Sequence, residues 1–361
     1  MKSDGRNSDE IPVGNNQARF NSVNDAKHYW SEVKKGSPPY PEEIEWHPSA
    51  HCTLNCSYCC SPNKYLKTSR KVLDRNTILV GYLKYWKDKL KSFQISGGRE
   101  PLEDHSCIDV IKKAKELDLE VKLNTSGHSY NSRALSNIIQ YCTYAAISCD
   151  TFNEKEYCSL KGVNAEVYER VLKSLKYIGQ AKGECTVEIV VLPEIIDLAN
   201  LSNTLFYAKK MNIDGVRMRR VKYHLNPHEV DINPNNAKDV YQQIISGYSR
   251  WYESGFLRIN EEDFHVDYTK LIKDDQSPCY SSARKIVIDA LGHIFPCAMK
   301  SYPGHDGVGD TSMYDVNMFE YPHPRKMWKK IVQSRKLLLE NKSCSVCCIA
   351  DRYLNNYVSN I

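Results

Sequence analysis

Residues 43–60 read EIEWHPSAHCTLNCSYCC, a short strand pattern that runs into cysteines at 52, 56, 59 and 60. Ile44 and Trp46 alternate with Glu45 and His47, the period of two that belongs to a β-strand. The same alternation recurs in SFQIS (92–96), EVKLN (120–124), AAISCD (145–150), TVEIVV (186–191) and GVRMRRV (215–221). Each strand has one apolar face: Phe93/Ile95, Val121/Leu123, Ala145/Ile147, Val187/Ile189/Val191 and Val216/Met218. The opposite face is mostly polar: Gln94/Ser96, Lys122/Asn124, Ser148/Asp150, Glu188 and Arg217/Arg219. Between the strands lie helical stripes such as Val167, Val171, Leu175, Ile178 and Leu198, Leu201, Leu205, Ala208. Strand–helix alternation implies a parallel sheet with helices outside. A flat sheet covered on both faces would read as continuous apolar runs. One apolar and one polar face on every strand therefore predicts an α/β fold of the partial (β/α)6 TIM-barrel type, with a polar lumen. The alternative is that the polar residues sit at strand ends or in solvent.

Composition narrows the function. The chain has 361 residues, with 49 Lys and Arg against 44 Asp and Glu, a net charge of +5. So small and dispersed an excess argues against a nucleic-acid groove or a membrane surface. No run approaches the roughly 18 apolar residues of a membrane span. The opening MKSDGRNSDEIPVGNNQARF has no apolar core for a signal peptide, so a cytoplasmic location with reduced thiols is expected. Fourteen cysteines in such a setting point to metal. Cys107, Cys142, Cys149, Cys158 and Cys185 are scattered and read as small core residues; Cys142 continues the stripe of Leu135, Ile138 and Ile139. Four regions are expected: a polar extension over 1–43, partly disordered; a barrel over 44–222; a helical linker over 223–278; and a small α+β cluster-binding unit over 279–361. Helices are expected at 24–35, 236–253 and 324–340. KIVIDALGHIFPCAM (285–299) reads as a hairpin turning at Leu291-Gly292.

Cys52, Cys56 and Cys59 form a Cx3Cx2C pattern just after the first strand. Three thiolates on one loop can hold three irons of a [4Fe–4S] cube and leave the fourth iron open. Structural zinc is the alternative, but it wants four ligands, and Cys60 can supply a fourth only with awkward geometry. The pattern resembles the radical S-adenosylmethionine (SAM) superfamily, whose signature is Cx3CxΦC with an aromatic Φ, here Tyr58. The resemblance covers about 44–222. It implies that Tyr58 lies by the SAM adenine, and that Gly97, Gly98, Glu100 and Pro101, in SGGREPL (96–102), receive the SAM amino group. Arg99 intervenes in that motif. Asn124 and Ser126, in NTSG (124–127) closing the third strand, are implied to belong to the cofactor site, and Ser148 and Asp150, in ISCD (147–150), to meet the SAM ribose. Arg217 and Arg219 either grip the SAM carboxylate or an anionic substrate, or pair with Glu188 or Glu45 inside the barrel.

The downstream cysteines extend the resemblance. Cys279, Cys297 and the pair Cys344 and Cys347 resemble a twitch or SPASM-like auxiliary domain, which implies a second, fully ligated [4Fe–4S] cluster. Cys348 competes with Cys347 as the last ligand, and a zinc site is the alternative. The layout is similar to that of 2-deoxy-scyllo-inosamine dehydrogenase. It implies a radical SAM oxidoreductase that cleaves SAM to a 5′-deoxyadenosyl radical and abstracts hydrogen from a substrate C–H bond. The expected outcome is two-electron oxidation of a small hydroxylated or amino-sugar-like metabolite, with a flavodoxin- or ferredoxin-type electron donor. Two alternatives stand beside it. One is a maturase that epimerises or cross-links a ribosomally made peptide, although residues 1–43 are short for the peptide-recognition domain many such enzymes carry. The other is a non-catalytic metal-binding module.

Overall fold

The computed structural model describes residues 23–35, 37–59, 72–129, 131–193, 196–220, 237–259, 264, 280, 284–302 and 316–341. Helix α1 (Val23–Lys34) leads to β1 (Glu43–Trp46). Then follow α2 (Val72–Trp86), β2 (Ser92–Ile95), α3 (Cys107–Glu116), β3 (Glu120–Thr125), α4 (Ser132–Ile139) and β4 (Tyr144–Ser148). Two helices, α5 (Glu154–Lys161) and α6 (Ala165–Ala181), precede β5 (Thr186–Val191); α7 (Leu201–Lys210) precedes β6 (Gly215–Met218). The chain continues as α8 (Ala237–Gly247), α9 (Ser249–Glu253), β7 (Leu257–Arg258), β8 (Lys285–Ile288), β9 (Ile294–Phe295), α10 (Ala298–Ser301) and α11 (Pro324–Asn341).

The first five expected strands appear within about two residues of their sequence limits and the sixth ends at Met218, three residues early, and β1 to β6 pair in parallel in chain order. The sheet stays open, ordered β7-β6-β5-β4-β3-β2-β1-β8-β9. Ile44, Trp46, Phe93, Ile95, Val121, Leu123, Val187, Ile189 and Val216 are fully buried in one core with the apolar sides of the helices. Burying each such side chain contributes about 1.5–3 kcal/mol. The polar face is also buried, and it is stitched by charge. Lys285 Nζ lies 3.4 Å from Glu45, Lys122 Nζ 3.8 Å from Glu43, and Arg217 Nε 2.6 Å from Glu188. The lumen is therefore polar, as the alternation required.

Two further strands extend the sheet beyond β1. β8 pairs in parallel with β1, Glu45 opposite Val287, and β9 turns back against β8. Strand β7, from the stretch read as a linker, pairs with β6 at the other edge. The reason is physical: an open barrel leaves two strand edges with unpaired amides and carbonyls, and short strands cover both. The hairpin turns where expected. Gly292 has φ +81, and a Cβ there would lie 2.7 Å from the Phe319 ring. The expected helix at 236–253 divides into α8 and α9 around Tyr248. Among the described residues no helix is long and apolar enough to cross a membrane.

Candidate functional site

The cysteine loop leaves the carboxyl end of β1, where ligands sit in barrels of this kind. Cys52, Cys56 and Cys59 are reduced and half-buried; Cys60 lies outside the described residues. The loop is fastened to the end of α5. Asn55 N–H donates to Lys161 O and Ser57 N–H to Leu160 O, both at 2.9 Å. These are carbonyls of the last helical turn, which the helix itself cannot satisfy. Gly162 then ends the helix at φ +62, and a Cβ there would lie 2.8 Å from Asn55 Cβ and 2.9 Å from Asn55 O. The turn from Cys56 to Cys59 closes with a 3.1 Å bond from Cys59 N–H to Cys56 O.

The next two strand ends form one polar network. Glu100 caps the 3₁₀ turn Pro101–Glu103 by accepting from Leu102 N–H at 3.1 Å. The same carboxylate accepts from Ser126 N–H at 2.8 Å, Ser126 Oγ at 2.5 Å and Thr125 Oγ1. The Glu100 side chain thus ties the second-strand motif to the end of β3. Ser126 Oγ also meets His128 Nδ1 at 2.5 Å. His128 Nε2 in turn lies 2.8 Å from Thr53 Oγ1 and 3.2 Å from Glu103. Thr53 closes the circuit by donating its N–H and hydroxyl to Glu103, each at 2.7 Å. Gly97 is packed tightly, since a Cβ there would lie 3.0 Å from Arg99 O. Gly98 lies beside it, half-buried, in the same loop. Asn124 and Ser148, half-buried, stand near the carboxyl ends of β3 and β4.

Asp150 follows β4 with φ +54, 1 % exposed. Lys161 Nζ is 2.6 Å from its Oδ2, and Tyr58 donates its hydroxyl to the same oxygen at 2.5 Å. Lys161 also donates to the Tyr58 oxygen. Burial alone would lower the Lys161 ammonium's pKa, but Asp150, Tyr58 and Cys56 together hold it well above its ordinary value. Burial pushes the Cys52 thiol up to about 11, Glu100 and Glu103 adding to the rise, and burial raises Cys56 against the pull of Lys161. Burial thus favours the protonated form of Cys52 and Cys56, and coordination to a metal would deprotonate a thiol outright. Among the described residues no three His, Cys, Asp or Glu side chains meet around one ion. Thiols spread along a loop suit a multi-iron cluster, which takes one on each iron.

Of the two arginines on the sixth strand, Arg217 is paired with Glu188 in the lumen and Arg219 is exposed beyond the strand end. Arg258 and Tyr144 also bond Glu188. Of the downstream cysteines only Cys297 falls within the described residues. It is buried at the start of α10, whose Ser301 Oγ is 3.3 Å from His47 Nδ1, just past β1. Cys279, Cys344, Cys347 and Cys348 lie outside the described residues. The structure brings Tyr58, Asp150 and the cysteine loop together, and adds Lys161, Gly162, Thr53, Glu103 and His128, which sequence reading missed. Gly162 had a local signal, a glycine just past a helical stripe. The other four had none, because their partners lie far along the chain.

Residues 46–200 match the family model described as the radical SAM superfamily. No curated protein matches the chain. Among solved structures it is similar to Streptococcus suis SuiB bound to S-adenosylmethionine, at 18% identity and TM-score 0.58, covering 82% of this chain and 68% of that one. SuiB bound to the precursor peptide SuiA aligns at 15% identity and TM-score 0.60, over 93% of this chain and 80% of that one. Native anSMEcpe with bound AdoMet aligns at 16% identity and TM-score 0.53, over 84% of this chain and 86% of that one. At these identities the likeness is one of fold, a partial barrel with helices outside.

Proposed function

We propose that this chain is a radical SAM enzyme whose Cys52, Cys56 and Cys59 hold a [4Fe–4S] cluster with one iron open to SAM. The observation that carries the reading is the loop itself: three half-buried thiols at the carboxyl end of β1, fastened to α5, inside a matching radical SAM domain. A cluster held by these three thiolates would supply the electron for reductive cleavage of SAM, chemistry that would yield a 5′-deoxyadenosyl radical able to take hydrogen from a substrate C–H bond. The protein's part is to position, to place charge and to exclude water. Tyr58 is set by Asp150 and Lys161 as a platform for the adenine. Gly97 and Gly98 let the backbone approach the amino group, while the Glu100 side chain holds that loop against β3. Asn124, Ser126 and Ser148 line the strand ends toward the ribose. Arg217 pairs with Glu188 and serves the lumen, and Arg219 stands exposed past the strand end.

A second cluster on Cys279, Cys297, Cys344 and Cys347, in a twitch-like unit over 279–361, would take up one electron from the substrate radical. That supports two-electron oxidation of a small hydroxylated or amino-sugar-like metabolite in a polar lumen, with a flavodoxin- or ferredoxin-type donor. One observation favours a second reading, modification of a peptide: the SuiB structure aligned over 93% of this chain is bound to a precursor peptide. Replacing Cys52, Cys56 and Cys59 by alanine should roughly halve the iron of anaerobically reconstituted protein and abolish 5′-deoxyadenosine formation from SAM. Unchanged iron in that variant removes the assignment. Candidate sugars and peptides are then separated by which one stimulates 5′-deoxyadenosine formation, read by mass spectrometry.

A further inference from the structure

We propose that Glu103 and His128 are positioning residues that hold Cys52 in place through Thr53, giving the first thiol of the cysteine loop a fastening separate from the one at α5. This rests on the cluster assignment above. The α5 bonds engage Asn55 and Ser57, the two neighbours of Cys56. Cys52 precedes that grip, and its neighbour Thr53 is held instead by the segments that follow β2 and β3. Thr53 is itself exposed, but its bonds run inward. Its N–H and its hydroxyl both donate to Glu103 Oε1 at 2.7 Å, and the hydroxyl oxygen lies 2.8 Å from His128 Nε2. The Glu103 and His128 side chains are 12 % and 4 % exposed, so the far ends of these bonds are sheltered from water.

Two features make the contact a brace. Both Thr53 donors end on one oxygen, so backbone and side chain are fixed together, and a carboxylate acceptor strengthens each bond. The brace is also anchored from behind. His128 Nε2 lies 3.2 Å from Glu103, and its Nδ1 lies 2.5 Å from Ser126 Oγ. Ser126 in turn donates its N–H and hydroxyl to Glu100, and Arg170 of α6 donates to the His128 carbonyl at 3.4 Å. Thr53 is thereby tied to two strand ends and a helix. A metal ligand holds its ion best when groups behind it fix its direction, and replacing such groups costs about 10–100-fold in metal affinity. Three thiols that each meet one iron of a shared cluster need that fixing at both ends of their loop.

Four variants test the brace. Thr53→Val removes the hydroxyl and keeps the size, while Thr53→Ser keeps the hydroxyl. Glu103→Gln keeps the shape without the charge, and His128→Phe keeps a ring without the nitrogens. Each full-length protein is reconstituted anaerobically, and iron loss to a chelator is timed in the phase that the Cys52→Ala/Cys56→Ala/Cys59→Ala protein lacks. Thr53→Val, Glu103→Gln and His128→Phe should lose that iron about tenfold faster than the wild type, and Thr53→Ser should match it. A short chelator pulse followed by alkylation, mapped by peptide fragmentation, should label Cys52 ahead of Cys56 and Cys59 in the three faster variants. Wild-type rates in the folded variants overturn the proposal. So does equal labelling of the three thiols, which a general loosening of the fold would give. Failure of both Thr53→Val and Glu103→Gln to fold assigns the contacts to stability and overturns it as well. A wild-type protein that takes up no iron in this phase sinks the functional reading and the brace with it; a wild type that holds iron, with variants that release it no faster, sinks only the brace.

Discussion

Alanine at Gly162 should damage the cysteine loop in a way that alanine at another left-handed glycine does not. Gly162 has φ +62, and its added methyl would lie 2.8 Å from Asn55 Cβ and 2.9 Å from Asn55 O. Two costs combine there. A left-handed backbone costs an L-residue about 1–2 kcal/mol. Forcing the methyl against the Asn55 backbone adds an overpacking cost of about 1–3 kcal/mol. Gly183 separates them, with φ +58 and nothing within 4 Å of its added Cβ. Gly162→Ala should therefore lose about 2–5 kcal/mol, and Gly183→Ala about 1–2 kcal/mol. Urea unfolding followed by circular dichroism reads this as a lower midpoint at constant slope. A local readout accompanies it. The clash falls on the segment whose Asn55 and Ser57 amides donate to Lys161 O and Leu160 O. Hydrogen exchange at those two amides should quicken in Gly162→Ala and stay unchanged in Gly183→Ala. Equal destabilisation of the two variants, with equal exchange at 55 and 57, would refute the claim that the cysteine loop demands glycine at 162.

Further tests address the buried charges. Glu42, 2 % exposed just before β1, has its carboxyl pushed from 4.5 to about 7 by burial, against the pull of Arg284 and Lys91. The folded protein keeps that proton between pH 4.5 and 7 where the unfolded chain has lost it, so this contribution to stability is full below 4.5 and gone above 7. Glu42→Gln should accordingly gain on the wild type by about 2–3 kcal/mol between pH 5 and 8 in denaturant titrations; a constant difference would count against the assignment. Arg217→Met deprives the fully buried Glu188 of one of its two cations, Arg258 remaining, and should cost about 1.5–3 kcal/mol. Loss of less than about 1 kcal/mol would return Arg217 to ligand binding.

The fold was legible because its signals are local. Period-two alternation in six short strands, with helical stripes between them, specified an open barrel with a polar lumen, and each strand could be read without knowing its neighbour. The cysteine loop was legible for the same reason: Cys52, Cys56 and Cys59 fall within eight consecutive positions of the chain. Only the tertiary structure decided where the polar side chains go. Tyr58 bonds Asp150 across 92 positions and Lys161 across 103, and Lys285 reaches Glu45 across 240. Nothing near Asp150 in the chain says that its carboxylate belongs to a lysine, and nothing near Glu100 says that β3 will claim its oxygens. Nor does the hairpin's sequence say that β8 will extend the barrel at β1. A buried charge must find a partner, and an open sheet edge must be covered, but which group answers depends on what the folded chain brings within reach.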